Sequence, residues 1–192
     1  MLLAGCVGGR LGRGAPPKKK LDIQAILDTA PDGSVLTLDY GEYVLATGLT
    51  VSGKHNLTIT GPRGTLILVD DVMQDVLTLE TCDSVQIVNL HMRHLKPLGD
   101  YNCEGAVIRM DECSNMEVKD CELDGCGAIA VAGNQVKGLR VTGCYIHNNT
   151  WNAFYLTDCE NALITGNRIV HNFDVLTQYD CDGIELRDNQ LK

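Results

Sequence analysis

Aromatic side chains are scarce: one Trp, two Phe and six Tyr make up 5% of 192 residues. A core of bulky rings is thus ruled out, and the 44% hydrophobic content must pack as thin aliphatic layers. Positive charge is short as well, with 16 Lys and Arg against 25 Asp and Glu, for a net charge of -9. Phosphate recognition depends on clustered Lys and Arg, so neither nucleic acid nor an anionic membrane surface is expected as a partner. Neutral sugars, cations and proteins remain. No apolar run approaches the roughly 20 residues that cross a bilayer. No Cys-x-x-Cys pair occurs among the nine Cys, which argues against a zinc knuckle. The length suits one domain.

What is present is self-similarity. Val118, Val141 and Ile164 are each 23 residues apart, as are Leu123, Ile146 and Ile169, and Cys121, Cys144 and Asn167. Earlier, Ile59, Ile87 and Val118 follow at 28 and 31, the same template with insertions. One such unit cannot bury its own apolar face, but units stacked at strand spacing enclose a continuous interior. The expected fold is all-β, a right-handed parallel β-helix of about six coils. Leucine-rich repeats lack their consensus here, and left-handed hexapeptide helices lack their six-residue period. Ahead of the coils, Ile23, Ile26, Leu27 and Ala30 mark one apolar helical face over Leu21 to Ala30, and Pro31-Asp32-Gly33 supplies the stop, so a capping α-helix is expected.

Residues 21–192 resemble the parallel β-helix repeat proteins of the pectate-lyase-like superfamily. The resemblance rests on Ile23-Gln24, Pro31-Asp32-Gly33, Gly41-Glu42-Tyr43 and Asn56-Leu57-Thr58-Ile59-Thr60-Gly61. It implies the fold and leaves function open, since that superfamily includes lyases, glycosidases, epimerases, tailspikes, adhesins and non-catalytic periplasmic proteins. Separately, Leu3-Ala4-Gly5-Cys6 resembles a bacterial lipobox, which would make Cys6 the lipidation site. Residues 1–20 would then be a signal remnant and flexible tether, the membrane would be reached only through that lipid, and the location would be the cell envelope or outside the cell. Because only Met1 and Leu2 precede the box, the alternative is a chance match in a cytoplasmic protein.

The cysteines fall into two stacked files, Cys82, Cys113, Val136 and Cys159 in one and Cys121, Cys144 and Asn167 in the other. Parallel Cβ vectors about 4.8 Å apart miss disulfide geometry, so free buried thiols are expected.

Function should lie on outward strand positions and inserted loops. Aligning the third strand of each coil turns Leu77, Ile108, Ile129, Phe154 and Ile184 inward. Thr78, Arg109, Ala130, Tyr155 and Glu185 then form one outward file, and Glu80, Asp111, Ala132, Thr157 and Arg187 the next. Loops near His94 to Glu104 and His171 to Asp182 are expected to wall a groove floored by Ala130 and Tyr155. Arg109, Asp111, Trp151, Tyr155, Glu185 and Arg187 are the substrate-binding candidates, because rings stack on sugar faces and planar polar groups meet hydroxyls. The plainer readings are a packed turn residue for Trp151 and a surface charge pair for Arg109 with Glu185.

Asp180-Cys181-Asp182-Gly183-Ile184-Glu185 is similar to a catalytic strand lead-in of the polygalacturonase family. That similarity implies Asp182, with Glu185, as candidate catalytic carboxylates, although that family's other essential motifs are missing. A second polar face stacks His91, Glu122, Tyr145 and Arg168 beside Arg93, Asp124, His147 and Val170. Asp124, His147 and Arg168 are its candidates, with ordinary cross-strand charge pairing as the plain reading. No metal motif emerges, and no cofactor is expected beyond calcium. The leading expectation is an envelope protein that binds a polysaccharide, with lyase, hydrolase or epimerase chemistry as an extension. A non-enzymatic scaffold or adhesin is the alternative. Lys192 follows a strand with no polar cap, so a longer protein is expected.

Overall fold

The computed structural model describes residues 15–95, 104–125 and 128–192. Each strand pairing is parallel and joins one turn to the next, so the chain winds as a parallel β-helix with three strand faces. Right-handed connections between parallel strands are the rule, and the expected right-handed solenoid is the fold. The first face runs Val35–Thr37, the start of Thr58–Val69, the start of Gln86–His94, Glu117–Lys119, Arg140–Thr142, Leu163–Thr165 and Glu185–Arg187. These seven strands count about one turn more than expected.

Ile59, Ile87, Val118, Val141 and Ile164 stack in register along that face and are buried, as the 23-residue spacing implies. Each such side chain contributes about 1.5–3 kcal/mol on leaving water. At the N-terminal end, the helix Ile23–Thr29 is capped by the Asp22 side chain, which accepts from the Ala25 amide at 3.0 Å. Its Ile23 and Leu27 close the core, while Gln24 bonds both backbone groups of Thr50 (2.8 and 2.9 Å) and so covers an edge strand. Lys18–Lys19 pairs with Glu42–Tyr43 as a strand of the second face, so the solenoid begins within the segment expected to be a tether.

The corner between the third and first faces uses two left-handed residues per turn, Thr81 and Ser84, Glu112 and Asn115, Gln135 and Gly138, Asp158 and Asn161, Asp180 and Gly183, and one interior ladder runs between them. The corner between the first and second faces uses one, such as Asp120, Gly143 and Gly166, and the second ladder follows it. Cys82, Cys113, Cys121, Cys144, Cys159 and Cys181 are all free thiols, most of them donating to a carbonyl of the preceding turn, such as Cys113 Sγ to Leu79 O at 3.4 Å. Asn167 takes over in its file. Its Oδ1 accepts from the Cys144 amide at 2.8 Å, and its Nδ2 donates to Val141 O at 2.9 Å.

The third face departs from the expected register. Its inward file is Leu49, Leu77, Ile108, Val131, Phe154 and Leu176, so Val131 and Leu176 stand where Ile129 and Ile184 were expected. The outward file is Thr50, Thr78, Arg109, Ala132, Tyr155 and Thr177, with Ser52, Glu80, Asp111, Asn134, Thr157 and Tyr179 beyond it. Residues 174–179, expected as loop, form the strand Asp174–Tyr179. Glu185 and Arg187 consequently lie on the first face, paired with Leu163 and Thr165. Ala130 is fully buried and cannot floor a groove.

Candidate functional site

Two constellations stand out. On the third face, Trp151 sits in the turn before the strand Asn152–Thr157, its amide bonded to Ala128 O at 2.9 Å. Trp151 is 49% exposed, so it is not the packed turn residue of the plain reading. One turn on, the Phe173 amide bonds Trp151 O at 2.7 Å, and Phe173 is 81% exposed. Tyr155 and Tyr179 meet at 5.9 Å between ring centroids, tilted by 52°. Together with Asn152 and Thr177, whose side chains bond each other at 2.6 Å, these four rings line a concavity of about 410 Å³. That volume lies within the roughly 300–1,000 Å³ typical of ligand pockets.

The other third-face candidates extend this patch as a polar strip. Arg109 is held by Asp75 through Nε (2.6 Å) and Nη2 (3.2 Å) rather than by Glu185. This bond is the main reason its guanidinium is held above its usual pKa. Asp111 accepts from Asn134 Nδ2 at 3.3 Å. Glu185 and Arg187 approach one another at 4.0 Å, both well exposed on the other face and outside the aromatic patch. Asp182 stacks on Glu160 at a corner. There Asp180 and Gly183 supply the left-handed positions and Cys181 the ladder thiol, so this string performs the work of turning the chain. Cys6 and most of the 94–104 loop lie outside the described residues.

The second face carries the other constellation, in the register expected: His91, Glu122, Tyr145 and Arg168 in one file, with Arg93, Asp124, His147 and Val170 in the next. Stacking closes a ring of alternating imidazoles and carboxylates. His91 Nε2 lies 2.8 Å from Asp124 Oδ1 and 3.9 Å from Glu122 Oε1. His147 Nε2 lies 3.2 Å from Glu122 Oε1 and 3.9 Å from Asp124 Oδ2. The His147 bond, together with the His91, His147 and Arg63 charges, keeps the Glu122 carboxyl below its ordinary pKa against the opposing effect of burial. Tyr145 stacks on His147 at 3.9 Å, and Arg168 lies 4.8 Å over the Tyr145 ring. His91, Glu122 and Tyr145 also border a cavity of about 90 Å³ shared with Arg63.

Phe173 and Tyr179 escape a sequence reading that treats 171–182 as loop, although in register they follow Trp151 and Thr157 by 22 residues each. The His91–Asp124 and His147–Glu122 contacts join residues 33 and 25 apart, which no local motif reveals.

A family model described as a right handed beta helix region matches residues 76–192. Among solved structures, a pectin methylesterase in complex with a hexasaccharide shares 17% identity and a TM-score of 0.61, over 83% of this chain and 56% of its own. The Dettilon tailspike protein shares 12% identity and a TM-score of 0.62, over 83% and 33%. The catalytic domain of an alpha-1,3-glucanase in complex with tetrasaccharides shares 11% identity and a TM-score of 0.53, over 76% and 27%. This chain therefore spans just over half of the first and a third or less of the other two. At these identities the likeness is one of fold. No curated protein matches the sequence.

Proposed function

From the premise that this chain belongs to the right handed beta helix family, we propose that its third face binds an extended polysaccharide. The observation that carries this reading is the meeting of Trp151, Tyr155, Phe173 and Tyr179 around one open concavity in a chain where aromatic residues are 5% of the total. Four of the nine rings gather at one surface patch, whereas the interior is mainly aliphatic, with Tyr43 and Phe154 as its buried rings. Exposed rings offer apolar area to the C–H faces of sugars at low entropic cost, and the Asn152–Thr177 pair offers a donor and acceptors to hydroxyls. The strip of Thr78, Arg109, Asp111 and Asn134 continues the surface across earlier turns, which suits a polymer better than a free monosaccharide. Saccharides bound to two solved structures of the same fold support this choice of ligand.

The proposal is for binding. Among the described residues, those lining the aromatic concavity are four rings, an amide and a hydroxyl, with no paired acid and base. An envelope location is proposed on Leu3 to Cys6 alone. A glycan array probed with the whole chain tests the ligand class: the wild type is expected to mark a set of polysaccharides that Trp151→Ala and Tyr155→Ala both lose. Binding unchanged in both variants would remove this face from consideration, and no binding at all would favour the scaffold reading.

A further inference from the structure

The ring of His91, Asp124, His147 and Glu122 belongs to a different face from the aromatic patch, and a polysaccharide on the third face makes no use of it. We propose that these four side chains form a binding site for one divalent transition-metal ion of the zinc type.

Geometry comes first. A tetrahedral ion with ligand bonds of about 2.0–2.2 Å spaces its donor atoms roughly 3.3–3.6 Å apart. Around this ring His91 Nε2 lies 2.8 Å from Asp124 Oδ1 and 3.9 Å from Glu122 Oε1, and His147 Nε2 lies 3.2 Å from Glu122 Oε1 and 3.9 Å from Asp124 Oδ2, so Asp124 turns a different oxygen to each imidazole and the separations bracket that spacing. The donor atoms of His91, Glu122 and Asp124 all lie within 4.8 Å of one another, and His147 closes the fourth side. His91, Glu122 and Asp124 form the preassembled part of the centre, and rotation of His147, which lies outside that set of three, would complete it.

Rigidity and charge agree with this. All four residues stand on paired strands of adjacent turns, so the backbone supplies the preorganisation a metal site needs. The His91, Asp124 and His147 side chains are 20%, 12% and 10% exposed, so an ion would be partly withdrawn from competing water. Two carboxylates balance the two positive charges. Two imidazoles beside two carboxylates match the preference of zinc and its neighbours, whereas calcium seeks six to eight oxygens. Outside the ring, Asn148 Nδ2 lies 2.9 Å from His147 Nδ1, the position where histidine ligands ordinarily meet an orienting partner. With the amide turned over, its oxygen accepts from that nitrogen, leaving Nε2 free to ligate. The adjoining cavity of about 90 Å³ has room for a few waters and gives the ion a route in.

The test uses the full, tag-free chain with Zn²⁺ in equilibrium dialysis and Co²⁺ in absorption spectroscopy. One equivalent of Zn²⁺ is expected to bind, and cobalt should give visible d–d bands without the near-ultraviolet charge-transfer band of thiolate ligands. His91→Gln and His147→Gln should each weaken Zn²⁺ binding by more than the roughly 10–100-fold that loss of an outer partner costs. Tyr155→Ala should leave Zn²⁺ binding unchanged, which separates this site from the polysaccharide face. Should either histidine variant fail to fold by circular dichroism, Glu122→Gln, at the most exposed of the four positions, gives the same readout. Absence of stoichiometric binding, undiminished binding in the variants, or a thiolate band assigning the ion to cysteine would each overturn the proposal.

Discussion

At the scale of single residues, the interior ladders set how much one side chain can matter. Asn167 is buried and satisfies the Cys144 amide and the Val141 carbonyl at once, besides donating to Asn189 Oδ1 at 3.1 Å. Asn167→Ala leaves the buried Cys144 amide unpaired at about 1–3 kcal/mol and removes a second donor from the Val141 carbonyl. Cys144→Ala removes one weak thiol donor and a small volume, so urea denaturation should find Asn167→Ala clearly the more destabilising. Equal costs would contradict the ladder's hydrogen-bonding role. His94 supplies a second residue-scale prediction. Burial holds its pKa below the ordinary 6.5, although the Gln74 carbonyl at 2.7 Å and the charges of Asp75 and Asp71 pull it upward. The unfolded chain binds a proton near pH 6.5 and the folded chain resists it, so this stabilisation is complete above that value and lost as pH falls below it. Between pH 7 and pH 5, the fall in unfolding free energy should be shallower in His94→Asn than in the wild type. Parallel slopes would show that His94 does not contribute.

Among elements, corners and strand registers follow different rules. Gly183 has a φ of +65°, and a Cβ there would come within 2.8 Å of Asn161 Oδ1. Asn161, at the same corner one turn earlier, has a φ of 57°. Gly183→Ala should therefore cost about 1–2 kcal/mol or more, whereas Asn161→Gly should be nearly neutral, read as urea midpoints. This corner also explains why the third face was misread from sequence. Asp180 to Glu185 is similar to a catalytic strand lead-in, yet its Asp180 and Gly183 serve left-handed turn positions, and the third-face strand lies just before it. Ile129 and Val131 are both apolar and two apart, so strand periodicity alone accepts either as the inward residue. Between the first and second faces the apolar residues keep a fixed offset of five, as in Ile87 and Met92, Val118 and Leu123, Val141 and Ile146, which leaves a single register even where an insertion lengthens the turn. There His91, Glu122, Asp124 and His147 were aligned correctly, although their side-chain contacts became visible only once three turns were stacked.

For the whole molecule, the solenoid separates two surfaces that share one core. The third face gathers its rings at the strands Asn152–Thr157 and Asp174–Tyr179, and the second face gathers its imidazoles and carboxylates across Gln86–His94, Glu122–Asp124 and Tyr145–His147. Part of the first surface was legible, because Trp151 and Tyr155 are conspicuous in a chain so poor in aromatics. Phe173 and Tyr179 were not, because recognising them depended on a strand hidden by its polar, turn-like continuation. The chain's one Trp makes the central claim directly measurable, since Trp151 is 49% exposed within the proposed binding surface. Its intrinsic fluorescence, followed while a polysaccharide positive on the array is titrated in, should shift saturably in the wild type and in His91→Gln. Tyr155→Ala should need far more polysaccharide to reach the same shift. A polysaccharide that binds by calorimetry while leaving Trp151 fluorescence unchanged would contradict the account, because it would place the ligand elsewhere on the solenoid.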